Sequence, residues 1–172
     1  MDISLRLQRK KFRRLKQEEI ISMIRKLDVE DEGTLKKILE LQMDSYKIEA
    51  ALIGFYEIPP LMDTIVSLKE CGETFYGYFM EEVLAGIISC KNIDKVLDIH
   101  RVAVHPCFFR MGIAGKLIDF VESIENNISK VIVGTGKKNM PAISLYLKKG
   151  YRRVKDVEVS KGIHITEFEK IL

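Results

Sequence analysis

The chain has 172 residues, 47% of them hydrophobic and 31% charged, which is the composition of an ordinary globular domain rather than of a disordered or fibrous chain. No apolar run reaches the roughly 20 residues of a membrane-spanning helix, and no apolar signal core follows the basic N-terminus. We therefore expect a cytoplasmic protein without membrane insertion.

The net charge of +3 is concentrated at the N-terminus, where residues 1–19 hold seven Lys or Arg against three Asp or Glu. We interpret residues 1–19 as a basic N-terminal extension and residues 20–172 as a single domain. A basic tail can contact RNA, a membrane surface or an acidic protein, or remain solvated. The tail lacks an interleaved aromatic pattern and a nucleic-acid-binding motif, so we do not expect nucleic acid as a partner.

The three cysteines, Cys71, Cys90 and Cys107, are odd in number and widely spaced. This pattern argues against a disulfide framework or a zinc site. We expect buried or partly buried thiols and no bound metal.

The hydrophobic pattern predicts an α/β fold class with a mixed sheet and the order β-α-α-β-β-β-α-β-α-β-β. A first strand is predicted over 20–27 and a capped helix over 28–46, whereas 46–58 carries no clear pattern. A second helix is predicted to begin at the proline pair Pro59–Pro60. The later strands are predicted at 74–80, 83–90, 95–104, 130–135, 151–159 and 163–171, and the later helices at 112–126 and 140–150.

A glycine-rich turn follows the 95–104 strand in the stretch "VAVHPCFFRMGIAGKL". Gly112, Ala114 and Gly115 open a helix whose first N–H groups are free to bind an anion, and Arg110 adds positive charge. The turn matches neither a Walker-type phosphate loop nor a dinucleotide-binding fingerprint. We predict that a phosphate group approaches this backbone; a close helix–strand contact is the alternative explanation of the small residues.

A second motif lies downstream in "NMPAISLYLKKGY", residues 139–151, with the spacing N-x-x-A-x-x-x-Y-x-x-x-G-Y. Together the two segments resemble the GCN5-related N-acetyltransferase (GNAT) superfamily. The resemblance implies about seven strands flanked by about four helices. It also implies a sheet splayed between the parallel strands 95–104 and 130–135, and acetyl-CoA as co-substrate.

The resemblance also implies which residues hold acetyl-CoA. The backbone of the strand would pair with the pantetheine amides, and the N–H groups of the turn would bind the pyrophosphate. Asn139 matches a residue that bonds the cofactor arm, although it is equally suited to cap a helix. Phe109 departs from the family pattern, which has Gln or Arg at this position. The implied cofactor-binding residues are Val102, Ala103, Val104, Arg110, Met111, Gly112, Ile113, Ala114, Gly115 and Asn139.

For catalysis, Tyr146 matches the tyrosine that protonates the departing CoA thiolate. Asp98 and His100 are the candidate general bases: they are two apart on a strand, and Asp98 stands where some members place a glutamate. Gly134 occupies the position at which other members place an acid. The alternatives are a half-buried aromatic for Tyr146 and ordinary surface positions for the other two. A covalent route through Cys107 is conceivable but is not the family's usual course.

These residues predict transfer of an acetyl group to a primary amine by direct attack on the thioester. The acceptor would be a small molecule, a polyamine or a protein amine, and the protein a monomer or homodimer. A cation pocket with an aromatic wall is a candidate acceptor site, formed by Tyr46, Glu49, Phe55, Tyr56 and Glu57. The alternative function is a non-catalytic acyl-CoA-binding regulatory module on the same fold.

Overall fold

The computed structural model describes residues 23–172. The predicted extension over 1–19 and the start of the first predicted strand lie outside the described residues. Within 23–172 the chain forms a seven-stranded sheet in the order β1-β2-β3-β4-β5-β7-β6. The strands and helices are, in chain order, β1 (Ile24–Lys26), α1 (Glu32–Ile53), α2 (Pro59–Met62), α3 (Ile65–Glu70), β2 (Thr74–Met80), β3 (Val83–Ile93), β4 (Val96–Val104), a 3-10 turn (Pro106–Phe108), α4 (Ile113–Ile124), β5 (Lys130–Gly136), α5 (Met140–Lys148), β6 (Arg152–Ser160) and β7 (Ile163–Ile171).

The predicted fold class is confirmed, with differences between β1 and β2. The single helix expected after Pro59 is two short helices, because Asp63 is extended and Thr64 starts a new helix through a capping box with Ser67. The described residues therefore contain five helices rather than about four.

Helix α1 continues beyond the predicted end at residue 46, through the segment that carried no clear pattern. Ala50 and Ile53 are buried and extend its apolar face. Gly54, with φ 73°, then ends the helix in the left-handed conformation that glycine adopts without strain.

The sheet opens between β4 and β5, as the resemblance predicts. These parallel strands pair only from Val96 with Lys130 to Ile99 with Val133. Beyond that point β4 runs on to Val104 and β5 to Gly136 without pairing to each other. We call this opening the β4–β5 gap.

Helices cover both faces of the sheet. One face packs against α1 and α3 through residues such as Leu35, Ile38 and Leu68. The other packs against α4 and α5 through residues such as Leu117 and Ile143. Side chains of α1 and α5 can therefore approach each other only through the β4–β5 gap. Among the described residues, no helix is both long enough and apolar enough to cross a membrane.

Candidate active site

The N-terminus of α4 is open at the residue where the sequence predicts a phosphate contact. Gly112 is the N-cap with φ 78°, it provides no side-chain cap, and the first turn carries no acidic residue. Lys116 N–H donates to the Gly112 carbonyl at 3.1 Å, so the N–H groups that precede it have no partner within the helix. Arg110 lies exposed before the turn with φ 62°. The backbone and the charge are both suited to an anion.

The other predicted turn residues face the protein interior. Ile113 is 1% exposed, and Met111 and Ala114 pack against the same core. A Cβ at Gly115 would lie 3.0 Å from Cε of Lys149, the residue that follows α5. The small size of Gly115 therefore serves the contact between α4 and α5, while the open position belongs to Gly112.

The edge of β4 presents backbone groups to the gap. His105 N–H donates to the Ala85 carbonyl of β3, and successive N–H groups of a strand alternate in direction. The Val104 N–H therefore points toward the gap, where Ser45 Oγ of α1 accepts it at 3.3 Å. Val102 has the same orientation by alternation, whereas Ala103 is 1% exposed and bonds toward β3.

Tyr146 of α5 is 4% exposed. Its ring packs against Tyr151 and Phe168, with centroids 5.8 and 5.6 Å away. Burial, and to a smaller extent the charge of Glu49, raises the pKa of the Tyr146 hydroxyl above its usual value. The hydroxyl is therefore protonated at neutral pH and can donate a hydrogen bond.

Glu49 of α1 is connected by hydrogen bonds to β5 and to the start of α5. Thr135 Oγ1 donates to Glu49 Oε1 at 3.3 Å, and Asn139 Nδ2 donates to Thr135 Oγ1 at 3.2 Å. Asn139 Oδ1 accepts the Ala142 N–H at 3.3 Å, so the predicted helix-capping role of Asn139 is confirmed. Burial raises the pKa of Glu49 above its usual value.

Tyr46 completes this cluster. It is 8% exposed, and the Val102 backbone hydrogen-bonds to its hydroxyl. Burial is the main cause of a raised Tyr46 pKa, and the charges of Glu49 and Tyr146 add to it. We call Tyr46, Glu49, Thr135, Asn139 and Tyr146 the gap cluster.

The sequence placed Tyr46 and Glu49 in an acceptor pocket but did not connect them with Tyr146, and it did not single out Thr135. Phe55, Tyr56 and Glu57 follow the end of α1, where Tyr56 is 63% exposed. The structure brings two of the five predicted pocket residues into the gap cluster.

Asp98 and His100 contact each other, as their shared strand suggests. Asp98 Oδ2 lies 3.4 Å from His100 Nε2, and Glu73 Oε1 lies 3.6 Å from His100 Nδ1. Glu73 immediately precedes β2, on the far side of β3 from the gap. The His100 ring is therefore turned toward β2 and away from β5.

The cysteines are free thiols. Cys90 is buried, which raises its pKa to about 12, and Cys71 is partly buried. The expectation of burial is wrong for Cys107, which is exposed because it lies on the 3-10 turn before α4. Within residues 23–172, His, Cys, Asp and Glu side chains do not form a group of three or more arranged to hold a metal.

Comparison with known proteins identifies the family and the fold. The model of the Acetyltransferase (GNAT) family matches residues 35–151. The chain is 33% identical over 146 residues to the UPF0157 protein YqkA of Bacillus subtilis, which covers 85% of this chain and 43% of that protein. It is 31% identical over 97 residues to the N-acetylaspartate synthetase of Danio rerio, which covers 53% of this chain and 34% of that protein. The chain thus spans less than half the length of these curated relatives.

Among solved structures, the PaiA N-acetyltransferase of Thermoplasma acidophilum in complex with coenzyme A superposes with a TM-score of 0.66. Its sequence identity is 24%, and the alignment covers 84% of this chain and 96% of that one. Because the family model covers more than half of the sequence, the chain belongs to the GNAT acetyltransferase family.

Proposed function

We propose that the protein is an acetyl-CoA-dependent N-acetyltransferase that moves an acetyl group to a primary amine by direct attack on the thioester. The observation that carries this proposal is the β4–β5 gap. The open N-terminus of α4 and the buried Tyr146 of α5 both lie on one face of the sheet, next to this gap.

The residues around the gap fit acetyl-CoA. The first N–H groups of α4 and the exposed Arg110 would take the pyrophosphate, for which Phe109 offers no charge. The Val102 and Val104 backbone would pair with the pantetheine amides, in the manner of an added strand. Ser45 would then release the Val104 N–H that it accepts here. Asn139 can contact the cofactor arm while it caps α5.

Tyr146 would assist departure of the thiolate. Free thiols have a pKa of about 8.5, far below that of this buried phenol. Hydrogen-bond donation to the developing negative charge on sulfur is therefore more favourable than complete proton transfer. The low-polarity surroundings of the hydroxyl strengthen that hydrogen bond.

A general base is also required, because a primary amine with a pKa of about 10.4 is protonated at neutral pH and cannot attack. Asp98 and His100 are the candidates for this base that the sequence predicts, and they would accept the proton through water, since the imidazole lies between the Asp98 and Glu73 carboxylates.

A non-catalytic acyl-CoA-binding module is the second candidate. It is favoured by Phe109, which packs against the core where the family pattern has a polar or charged side chain. The same fold would then bind the thioester and leave it intact.

Release of CoA thiol on incubation with acetyl-CoA and a panel of amines separates the two. The panel includes polyamines, lysine-containing peptides and peptides with free N-termini. The proposal predicts thiol release that depends on both the amine and the protein. Saturable acetyl-CoA binding without amine-dependent release would instead establish the binding module.

A further inference from the structure

We infer that Glu49 is a further catalytic residue of this acetyltransferase: its carboxylate receives the acceptor's ammonium group at the β4–β5 gap and takes its proton. The inference rests on the proposed acetyltransferase function and adds to it the group that recognises the amine.

Glu49 lies on α1 and Tyr146 on α5, which cover opposite faces of the sheet. Glu49 is linked through the gap to α5, because Thr135 donates to it and Asn139, the N-cap of α5, donates to Thr135. The charge of Glu49 also contributes to the raised pKa of Tyr146. A thioester whose sulfur faces Tyr146 would therefore have the Glu49 carboxylate on its other side, where the attacking amine must arrive.

The packing of α1 on β5 explains how this carboxylate reaches the gap. A Cβ at Gly136 would lie 2.6 Å from Ile53 Cγ2, so the Ile53 side chain packs directly on the Gly136 backbone and leaves no room for a side chain at 136. Glu49 lies one helical turn before Ile53 and on the same face. It consequently meets Thr135, the neighbour of Gly136, at the open end of β5.

Strand β5 provides no acid of its own at this end, since Gly134, Thr135 and Gly136 carry none. Glu49 of α1 thus provides the carboxylate at this end of β5.

The neighbours of the carboxylate point to a cationic ligand. Its hydrogen bonds come from Thr135, from Asn139 and from the Gly136 backbone, all neutral groups. The titratable groups that face it are Tyr46 on its own helix and Tyr146 on α5. On β4, the charge of the Arg101 guanidinium lowers the pKa of Tyr46. This guanidinium is already paired with Glu73 and Asp63.

A partly buried carboxylate with only neutral partners is energetically unfavourable, and a cation bound beside it offsets that cost. The Asp98–His100 pair differs in this respect, because the Asp98 carboxylate already has the His100 imidazole as a partner at 3.4 Å.

Glu49 takes one proton from the ammonium group, and the amine nitrogen lone pair forms a bond to the thioester carbonyl carbon. The C–S bond then breaks with its electron pair going to sulfur, which accepts a hydrogen bond from the Tyr146 hydroxyl. The second proton on nitrogen moves to this sulfur to give the thiol, while Tyr146 keeps its own proton, and the proton on Glu49 is released to solvent.

Glu49→Gln is the direct test, with kcat/KM for the amine measured against pH and acetyl-CoA binding measured by calorimetry. Glu40→Gln, an exposed carboxylate on the same helix, is the matched control. We expect Glu49→Gln to lower kcat/KM by about 100-fold and to remove the acidic limb of the profile, with unchanged acetyl-CoA affinity. Glu40→Gln should leave kcat/KM, the acidic limb and the acetyl-CoA affinity unchanged.

Glu49→Asp and Asp98→Asn complete the set of variants. The shorter carboxylate of Glu49→Asp should retain an acidic limb at a reduced rate, which shows that the loss in Glu49→Gln is chemical and not a folding defect. An active wild type with an unaltered Glu49→Gln profile would overturn the inference, as would loss of the acidic limb in Asp98→Asn alone. A wild type that binds acetyl-CoA but acetylates no amine would overturn the proposed function itself.

Discussion

At the scale of single residues, the Glu49 carboxylate accepts hydrogen bonds from neutral groups, and burial raises its pKa. The folded protein therefore holds a proton on Glu49 more tightly than the unfolded chain does. As pH rises from the ordinary carboxyl pKa of 4.5 through the raised value, the unfolded state loses that proton first, and the stability of the fold decreases.

Glu49→Gln is accordingly expected to raise the free energy of unfolding at pH 7, while wild type and variant should be nearly equal below about pH 4. Urea denaturation of both proteins at the two pH values measures the difference. A variant less stable than wild type at pH 7 would mean that the carboxylate is a structural element and not a group kept for catalysis.

Tyr146→Phe removes the hydroxyl and keeps the ring that packs against Tyr151 and Phe168. Loss of the hydrogen bond to sulfur should lower kcat by about 100-fold, with acetyl-CoA affinity retained. Tyr56→Phe, which changes an exposed tyrosine, is the control. Equal kcat for Tyr146→Phe and wild type would remove Tyr146 from the reaction.

The sequence predicts some of these residues and not others. Asn139 and Tyr146 lie in one short motif, so their spacing is visible. Glu49 and Thr135 are 86 positions apart, and their hydrogen bond depends on how closely α1 packs against β5. Local hydrophobic patterns do not encode that distance.

At the scale of secondary-structure elements, the contact between α1 and β5 links packing to function. Gly136→Ala would bring a Cβ to 2.6 Å from Ile53 Cγ2, so the Ile53 side chain must move and we expect α1 to shift with it. We expect the free energy of unfolding to fall by about 1–3 kcal/mol and turnover to fall as Glu49 moves from the gap.

Adding Ile53→Ala to Gly136→Ala removes the clashing atoms and should restore turnover even where stability is not regained. Denaturation and steady-state kinetics on the single and double variants measure the coupling. Full turnover in Gly136→Ala alone would show that the position of α1 does not matter for the reaction.

The N-terminus of α4 offers a second prediction. Gly112 and Gly162 both have positive φ, 78° and 75°, and a Cβ added at either residue would have no neighbouring atom within 4 Å. Alanine at either site should lower the free energy of unfolding by about 1 kcal/mol through backbone strain. Only Gly112→Ala should also weaken acetyl-CoA binding, by about tenfold or more as its methyl group obstructs the phosphate. Equal affinities in the two variants would exclude the α4 N-terminus from the binding site.

The elements themselves were largely predictable, because strands such as 74–80 and helices such as α4 carry regular apolar spacing. The end of α1 was not, since residues 46–58 mix buried Ala50 and Ile53 with exposed Leu52 and Tyr56. The break at Asp63 also escaped prediction, because that residue is extended while its carboxylate bonds Gln42, Ser67 and Arg101.

At the scale of the whole molecule, a buried ionic network ties the α1–α3 layer to the sheet. Arg101 of β4 binds Glu73 through Nη1 and Asp63 through Nη2, the latter at 3.1 Å. Gln42 of α1 donates to Asp63 at 2.7 Å, and Ser89 of β3 donates to Glu73 at 2.6 Å. The network therefore connects α1, the helix that carries Glu49, to strands β3 and β4.

Arg101→Met would leave two buried carboxylates without their cation. We expect a loss of about 3–5 kcal/mol in the free energy of unfolding, measured by urea denaturation. Arg152→Met removes an exposed cation from Glu169, which keeps Lys130 as a partner, and should change stability by about 0.5 kcal/mol or less. Similar losses in the two variants would show that the network does not hold the layer in place.

The β4–β5 gap followed from the family resemblance, whereas this network did not, since its members come from five separate segments. The charged residues are visible in the sequence, but which of them pair depends on the assembled fold.

A crystal structure of the protein with bound CoA would show whether the β4–β5 gap is the acetyl-CoA site. We expect pantetheine along the Val102–Val104 edge of β4, pyrophosphate at the N-terminus of α4, and the sulfur facing Tyr146 with Glu49 across the gap. CoA bound outside the gap, or a sulfur directed toward Asp98 and His100 with Glu49 remote from it, would show that the gap and Glu49 do not form the active site.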